Sequence, residues 1–490
     1  MAWSKAMRVC ACVLLLCSVV MLVVVIVMVS RASCAEGSYG RAAVAADSET
    51  CSTVGRDILR SGGSAVDGAI AALLCTSVVN PQSMGLGGGS IFTVMDGSGR
   101  VQIINARETV PKPTIRLARE GLPVGPVLAR FITQLAGNFS PSLRKLYSDK
   151  NGNLLQVGDI IKFEKLADTL EVVAQQGADA FYNGKIAKDL IGDLLLEGSK
   201  LTMEDLAFYK ARVSDAWNTS MGEYQLHLAP PPSGGVLLGL ILNIMKGYDL
   251  TPESLRGEQK ALTYHRFVEA CKFANSLKKY ARDPHFNSAV MAEKMTKESF
   301  ADRLRGLISS GRSHGAQYYN TTPSMPSVGT THVSVLDQEG MAVAVTSTIN
   351  KIFGSEVYSA STGVLLNNQL KDFCGKAEHI SAGEQPPSSM SPTIIRSRTK
   401  TLVTGASGGS MILTGTALEA TTAPVVYVDS NNALKFEPDF DQSVIDALLL
   451  MGQTQKNTTY FYNVVNSVEK EHGCISAMSD RRKEGKAAGY

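Results

Sequence analysis

A single peptide, Gly329–Thr330, sits where the apolar pattern of this chain changes from helical to alternating. Its side chain permits an acyl shift. The threonine hydroxyl attacks the carbonyl carbon of residue 329, the amide becomes an ester, and water opens the ester. A chain cut in this way presents Thr330 with a free α-amine, which can take the proton of its own hydroxyl, so such a nucleophile needs no histidine. The rest of the sequence offers no competing set. Seven histidines, His227, His265, His285, His314, His332, His379 and His472, are spread singly and none has HExxH spacing, so neither a zinc hydrolase nor a Ser-His-Asp site is visible. His332 shares a strand face with Thr330, a placement that is more often structural than catalytic. The nine cysteines form no CxxC or Cys/His cluster, which argues against a metal. Gly85-Leu-Gly-Gly-Gly-Ser90 lacks the third glycine of a dinucleotide loop and the Gly-Lys-Ser/Thr of a phosphate loop. Close backbone packing is its simpler reading. No cofactor is expected.

The elements around that peptide follow from periodicity. Thr330 to Leu336 alternates, Asp337-Gln-Glu-Gly340 is a turn, and Met341 to Thr348 returns, so the spacing predicts a β-hairpin. A second apolar strand, Thr401 to Thr404, runs into Gly405-Ala-Ser-Gly-Gly-Ser410. Upstream, Thr53 to Val79 reads as one or two amphipathic helices broken at Gly62-Gly63. Ile91 to Val94 and Val101 to Ile104 read as strands. Residues 155–275 read mainly as helices, interrupted by Pro230 to Gly235 before the apolar helix Val236 to Ile244. Asn367 to Asp372 and Pro386 to Pro392 read as a polar loop and a proline-rich turn.

Composition sets the class. The 490 residues are 44% apolar and 19% charged with a net charge of +3, an ordinary globular balance. There is no basic run to suggest nucleic acid. Val9 to Ser30 is an uncharged apolar stretch between Arg8 and Arg31, and about 20 such residues cross a bilayer as a helix. With Lys5 and Arg8 before it, the expectation is a cytoplasmic tail (1–8), an anchor (9–30), a stalk (31–45) and an outward-facing body. That is a single-pass type II protein of the plasma membrane with its chemistry outside the cell. A cleaved signal peptide is the other reading, although its apolar region is shorter, roughly 7–15 residues. In that compartment Cys51 and Cys75 are candidates for a disulfide. Asn218, Asn320 and Asn457 begin glycosylation triplets.

The segments flanking the scissile peptide resemble one family. They are Ala43-Val-Ala-Ala-Asp-Ser, Gly62 to Leu73, Asn80 to Gly89, Ile104-Asn-Ala-Arg-Glu-Thr, Thr330-Thr-His-Val-Ser-Val, Thr346-Ser-Thr-Ile-Asn, Phe353-Gly-Ser, Gly363-Val-Leu-Leu-Asn-Asn, Ser388-Ser-Met-Ser-Pro-Thr, Gly405-Ala-Ser-Gly-Gly and Ser479-Asp-Arg-Arg-Lys to Gly489-Tyr. In order, and over nearly all of the chain beyond the apolar run, they are similar to the γ-glutamyl transferase (glutathione hydrolase) family, and most to its leukotriene-C4-cleaving, type-five branch. The resemblance implies an α+β fold of the N-terminal nucleophile hydrolase kind, an αββα sandwich of two sheets between helix layers. It implies a heterodimer of the chain's own two fragments, 46–329 and 330–490. Thr330 would take the γ-glutamyl group, Thr348 would orient its hydroxyl, and the N–H groups of Gly408 and Gly409 would hold the oxyanion, with Gly409 also touching substrate. Arg107, Ser388 and Ser389 would grip the substrate α-carboxylate, and Asp372, with Asn350 and Gln369, its ammonium. The implied substrates are glutathione and its conjugates, leukotriene C4 among them. Water as acceptor gives hydrolysis; an amino acid or dipeptide gives transfer.

The chain departs from the family pattern at two junctions. After Glu108-Thr-Val-Pro111 it passes almost directly to Pro113-Thr-Ile-Arg, and after Thr414-Gly-Thr-Ala-Leu418 it jumps to Ala423-Pro-Val-Val. Gln369 stands where some relatives carry an acid. A shortened, membrane-tethered relative that binds γ-glutamyl ligands or partners without turnover is the alternative these gaps raise.

Overall fold

The computed structural model of the chain describes residues 34–106, 112–320, 329–373, 380–418, 424–429, 431–457 and 464–490, with Ser18 and Met21. The expected tail and anchor otherwise lie outside these residues, as does Arg107. Among the described residues no helix is long and apolar enough to cross a membrane.

Thirteen strands build two facing antiparallel sheets. The strands are β1 (Ala43–Ala45), β2 (Gly89–Met95), β3 (Val101–Ala106), β4 (Arg212–Asp215), β5 (Trp217–Met221), β6 (Tyr224–Leu228), β7 (Gly329–Leu336), β8 (Ala342–Asn350), β9 (Thr393–Arg396), β10 (Lys400–Ser407), β11 (Val464–Glu471), β12 (Cys474–Ser479) and β13 (Ala488–Gly489). One sheet has the order β13-β1-β7-β8-β2-β3-β4 and the other β12-β11-β10-β9-β6-β5. The predicted hairpin is β7–β8, in the middle of the first sheet, and every residue of both strands is buried.

Burial on two faces explains the composition of this hairpin. Val333, Val335, Val343 and Val345 point to one side. There they pack with Cys51, Leu59, Ala69 and Leu73 of helices α1 (Glu49–Arg60) and α2 (Ala65–Val79). Leu336, Ala342 and Ala344 point to the other side and meet Ile394, Val403, Val468 and Ile475 of the second sheet. The outer face of that sheet is covered by α3 (Gly235–Lys246) and α4 (Gly257–Leu277), whose Val236, Leu237, Ile241, Phe267 and Val268 close on Leu226 and Leu228. The order of layers is therefore helix, sheet, sheet, helix.

The break between α1 and α2 falls where the glycine pair predicts it. Ser64 caps α2: its hydroxyl accepts from the Asp67 N–H at 3.3 Å and the Asp67 carboxylate accepts from the Ser64 N–H at 2.9 Å. Cys51 and Cys75, one on each helix, form the anticipated disulfide. Asn218, Asn320 and Asn457 are all exposed.

One expectation is corrected. The segment assigned to a stalk over 31–45 is packed into the body across its described part. Ala42 to Ala46 are fully buried, β1 pairs with β7 and β13, and Cys34 is disulfide-bonded to Cys474. Its Ala-Val-Ala composition is that of a short strand with no room on either face. The stretch 155–275 is mainly helical, as expected, and it also holds three strands that the sequence pattern does not mark, β4, β5 and β6. β4 and β5 are edge strands in which exposed side chains interrupt the alternation, while β6 is paired on both sides, with β5 and β9.

Candidate active site

The Gly329–Thr330 peptide lies at the start of β7, opposite the end of β8. Thr348 is the cross-strand partner of Thr330, and the register slips between Thr348 and Asn350 in a β-bulge. The Thr330 hydroxyl donates to Thr348 Oγ1 at 3.1 Å. That oxygen also accepts from the Asn350 N–H at 2.8 Å, and its own proton goes to the Gly329 carbonyl oxygen. One hydroxyl thus touches both the attacking oxygen and the carbonyl it would attack. The bulge puts Asn350 at φ 77°, a left-handed conformation that asparagine tolerates better than most residues. Residue 329 has no room for a side chain: a Cβ there would stand 2.3 Å from the Lys351 carbonyl oxygen. Thr330 is 1% exposed in the intact chain.

A second element approaches from the facing sheet. β10 ends at Ser407 and the chain turns through Gly408 (φ 115°) and Gly409 (φ 64°). Two consecutive positive φ values need glycine and turn successive N–H groups into one concavity. Lys483 ties this loop to Thr330. Its ammonium, fully buried, donates to Ser407 Oγ at 2.8 Å, to the Thr330 carbonyl oxygen at 2.5 Å and to Asp47 Oδ2 at 2.8 Å. Asp47 also accepts from Thr331 Oγ1 and from Asn466 Nδ2, both at 2.7 Å. On the same inner face His332 bonds Thr346 and Ser334. Complete burial lowers its pKa to about 3, so it stays neutral and structural, as the sequence suggests.

The polar loop Asn367 to Asp372 folds over Thr348. Gln369 Nε2 donates to the Thr348 carbonyl oxygen at 3.2 Å, and Asn350 Nδ2 donates to Asn368 O at 3.0 Å. Asp372 sits in the short 3-10 turn Gln369–Phe373. Burial raises its pKa to about 6 against the opposing pull of Lys278, a hydrogen bond from Asn350, and Lys351. From the proline-rich turn, Ser389 is nearly buried and its hydroxyl accepts from Lys278 Nζ at 3.1 Å. Ser388 is held through its N–H to Pro232 O at 2.7 Å, and its hydroxyl accepts from the Met390 N–H. The structure therefore assembles Thr330, Thr348, Asn350, Gln369 and Asp372 directly, joins Ser389 to Asp372 through Lys278, and joins Gly408 and Gly409 to Thr330 through Lys483.

Sequence reasoning missed Asp47, Asn466, Lys483 and Lys278. Asp47 and Lys483 lie inside quoted family-like segments, but they are 436 residues apart and nothing local pairs them. Among the described residues no cluster of three or more metal-ligating side chains occurs.

Comparison with known proteins agrees in extent. The profile of the gamma-glutamyltranspeptidase family matches residues 51–113 and 112–490, in two segments that meet at the first of the sequence junctions noted above. The chain is 38% identical to "Glutathione hydrolase 5 proenzyme" of Rattus norvegicus, covering 100% of each chain. That alignment runs over 576 positions, more than the 490 residues available here. The human protein of the same name is 37% identical, with 96% of each chain covered. Among solved structures, a cephalosporin acylase from Bacillus halodurans superposes with a TM-score of 0.79 at 21% identity, covering 92% of this chain and 96% of that one. At that identity the likeness speaks for the fold.

Proposed function

The chain belongs to the gamma-glutamyltranspeptidase family, and from that premise we propose that it is a self-cutting γ-glutamyl hydrolase or transferase of the N-terminal nucleophile kind, acting on glutathione and its conjugates with Thr330 as nucleophile. The observation that carries this reading is the arrangement of Thr330 Oγ1, Thr348 Oγ1 and Gly329 O around a glycine that no other residue could replace.

In the first stage Thr330 Oγ attacks the Gly329 carbonyl carbon while Thr348 donates to its oxygen. The C–N bond breaks, the hydroxyl proton passes to the departing amine, and water hydrolyses the ester. Gly329 is left as a carboxylate and Thr330 with a free α-amine. Because Thr330 is buried in the intact chain, this cut comes before any substrate can reach it. In the second stage the α-amine takes the Thr330 proton, Oγ attacks the γ-carbonyl of the donor, and the N–H groups of Gly408 and Gly409 receive the oxyanion. The amine of the leaving peptide departs with the proton. Water or an amino group then releases the γ-glutamyl ester.

Asp372 suits the donor ammonium, supported by Asn350 and Gln369. Ser388 and Ser389 suit the carboxylate together with Arg107. We take Val9 to Ser30 as a type II anchor that places the body outside the cell, where two disulfides would persist. Leukotriene C4 is the conjugate suggested by the branch the sequence resembles. A second reading, a binding protein without turnover, is favoured by the aligned positions this chain lacks.

One experiment decides between them. Mass spectrometry of the purified full-length protein is expected to find a new N-terminus at Thr330, and that material to release product from a γ-glutamyl anilide and from leukotriene C4. Intact polypeptide across residues 329–330 would refute the enzymatic reading and leave the binding one.

A further inference from the structure

Lys483 is an ammonium without solvent contact. Its side chain and that of Asp47 are both 0% exposed, so the pair owes its position to what it holds rather than to surface charge. Asp47 supplies the counter-charge that makes such burial tolerable. It also fixes the strand behind the nucleophile, accepting from Thr331 and from Asn466, whose amide donates in turn to the His332 carbonyl oxygen at 2.7 Å. Two further Lys483 hydrogen bonds run forward, to the carbonyl of Thr330 itself and to the residue that precedes Gly408.

We propose that Lys483 is a positioning residue for both stages: one ammonium fixes the distance between the nucleophile and the glycine loop, and sets a positive charge beside the Thr330 α-amine. The inference rests on Thr330 being the freed nucleophile. The amine and carbonyl oxygen of one residue are separated by only three bonds, so a cation bonded to the oxygen lies within a few ångströms of the nitrogen. A positive charge at that range disfavours the protonated amine and lowers its pKa, keeping the base unprotonated near neutral pH. Among the described residues, the other ionisable groups around it do not duplicate this. His332 on β7 is neutral. Asp480 and Arg482 on the turn bearing Lys483 pair with each other. Asp372 lies on the substrate side. β8, β10 and β11 present only hydroxyls and the Asn466 amide at this point.

The test uses the full-length protein. Wild type is sequenced first; an uncut wild type would refute the functional reading itself and is recognised at that step. Lys483→Met and Lys483→Arg are then compared for self-cleavage, kcat, KM and the pH dependence of kcat with a γ-glutamyl anilide. For Lys483→Met the expectation is roughly 10–100-fold lower kcat, KM within about twofold, and an acid limb moved up by about one pH unit. Arginine keeps the charge and is expected to return the limb to its wild-type place while recovering only part of kcat. A cut Lys483→Met enzyme with wild-type kcat and an unmoved limb would overturn the proposal. If Lys483→Met fails to fold, Lys483→Arg decides: lowered kcat with an unmoved limb supports it, and unchanged kcat or a displaced limb overturns it.

Discussion

Lys272 and Lys483 are both buried ammoniums beside a buried carboxylate, and each bridges the segment before residue 330 to the segment after it. Lys272, on α4, donates to Glu269 at 3.3 Å and to Ser313 and Gln453 at 2.6 Å. Glu269 accepts in addition from Tyr319 at 2.6 Å and Gln453 at 3.0 Å. Every one of these partners is a side chain, set within the large apolar cluster that includes Phe273 and Leu448. Lys483 differs in one contact, the main-chain carbonyl of the residue that would do the chemistry. A buried ion pair by itself is weak evidence for either stability or function. What separates these two is whether the next bond reaches a reactive atom or closes the network on itself.

That contrast can be broken from several directions. Thr330→Ala removes the reactive atom at one end, and both self-cleavage and turnover are expected to vanish, by at least about 1,000-fold on a γ-glutamyl anilide. Persistent turnover would move the nucleophile elsewhere. Lys272→Met leaves Glu269 buried without its cation and is expected to cost about 3–5 kcal/mol in denaturant unfolding. The acid limb of kcat should stay in place in whatever folds, and a shifted limb would erase the distinction between the two lysines. Asp372→Asn removes the carboxylate proposed to hold the donor ammonium. KM is expected to rise about 10–100-fold with a smaller change in kcat, and an unchanged KM would take Asp372 out of the binding site.

The pH dependence follows from the same carboxyl. With its pKa raised to about 6, Asp372 protonates as pH falls through that value and loses its hold on a cation. The wild-type kcat/KM should therefore fall below about pH 6, and the bound ammonium should push the corresponding limb in kcat lower. For folding the sign is opposite: the raised pKa means that ionised Asp372 costs stability above about pH 6, a cost relieved as pH drops. The smallest effect belongs to Ser389→Ala, a few-fold in KM through loss of one neutral hydrogen bond. A change in kcat alone would assign Ser389 to another step.

Much of the site was legible in the sequence because it is local. The hairpin announces itself through period-two alternation around Asp337 to Gly340, and it carries Gly329, Thr330 and Thr348 within one element. The glycine pair after Ser407 is legible because only glycine reads as a loop there. The groups that hold this hairpin were not legible. Asp47 precedes α1 while Lys483 lies in the last turn of the chain, and buried polar residues carry no period that distinguishes them from exposed ones. Lys278 looks like half of an ordinary surface Lys-Lys pair at the end of α4 until the fold brings Ser389 against it. The strands within 155–275 were not legible for a related reason: an edge strand exposed and loosely alternating, such as Arg212–Asp215, lacks a signal strong enough to compete with the helices beside it.

Cys34 and Cys474 close the described body into a covalent ring with a sequence separation of 440, and the bond between Gly329 and Thr330 is one link within it. Severing that link leaves two chains still joined through the disulfide. Breakage there would change the connectivity of the protein without changing its mass beyond one added water, and denaturing gels run without thiol would show one band. The later segment would stay tethered by sulfur to Cys34, a few residues past the apolar run. Only a reductant could release it, so the redox state of the surroundings would govern whether the two halves can part.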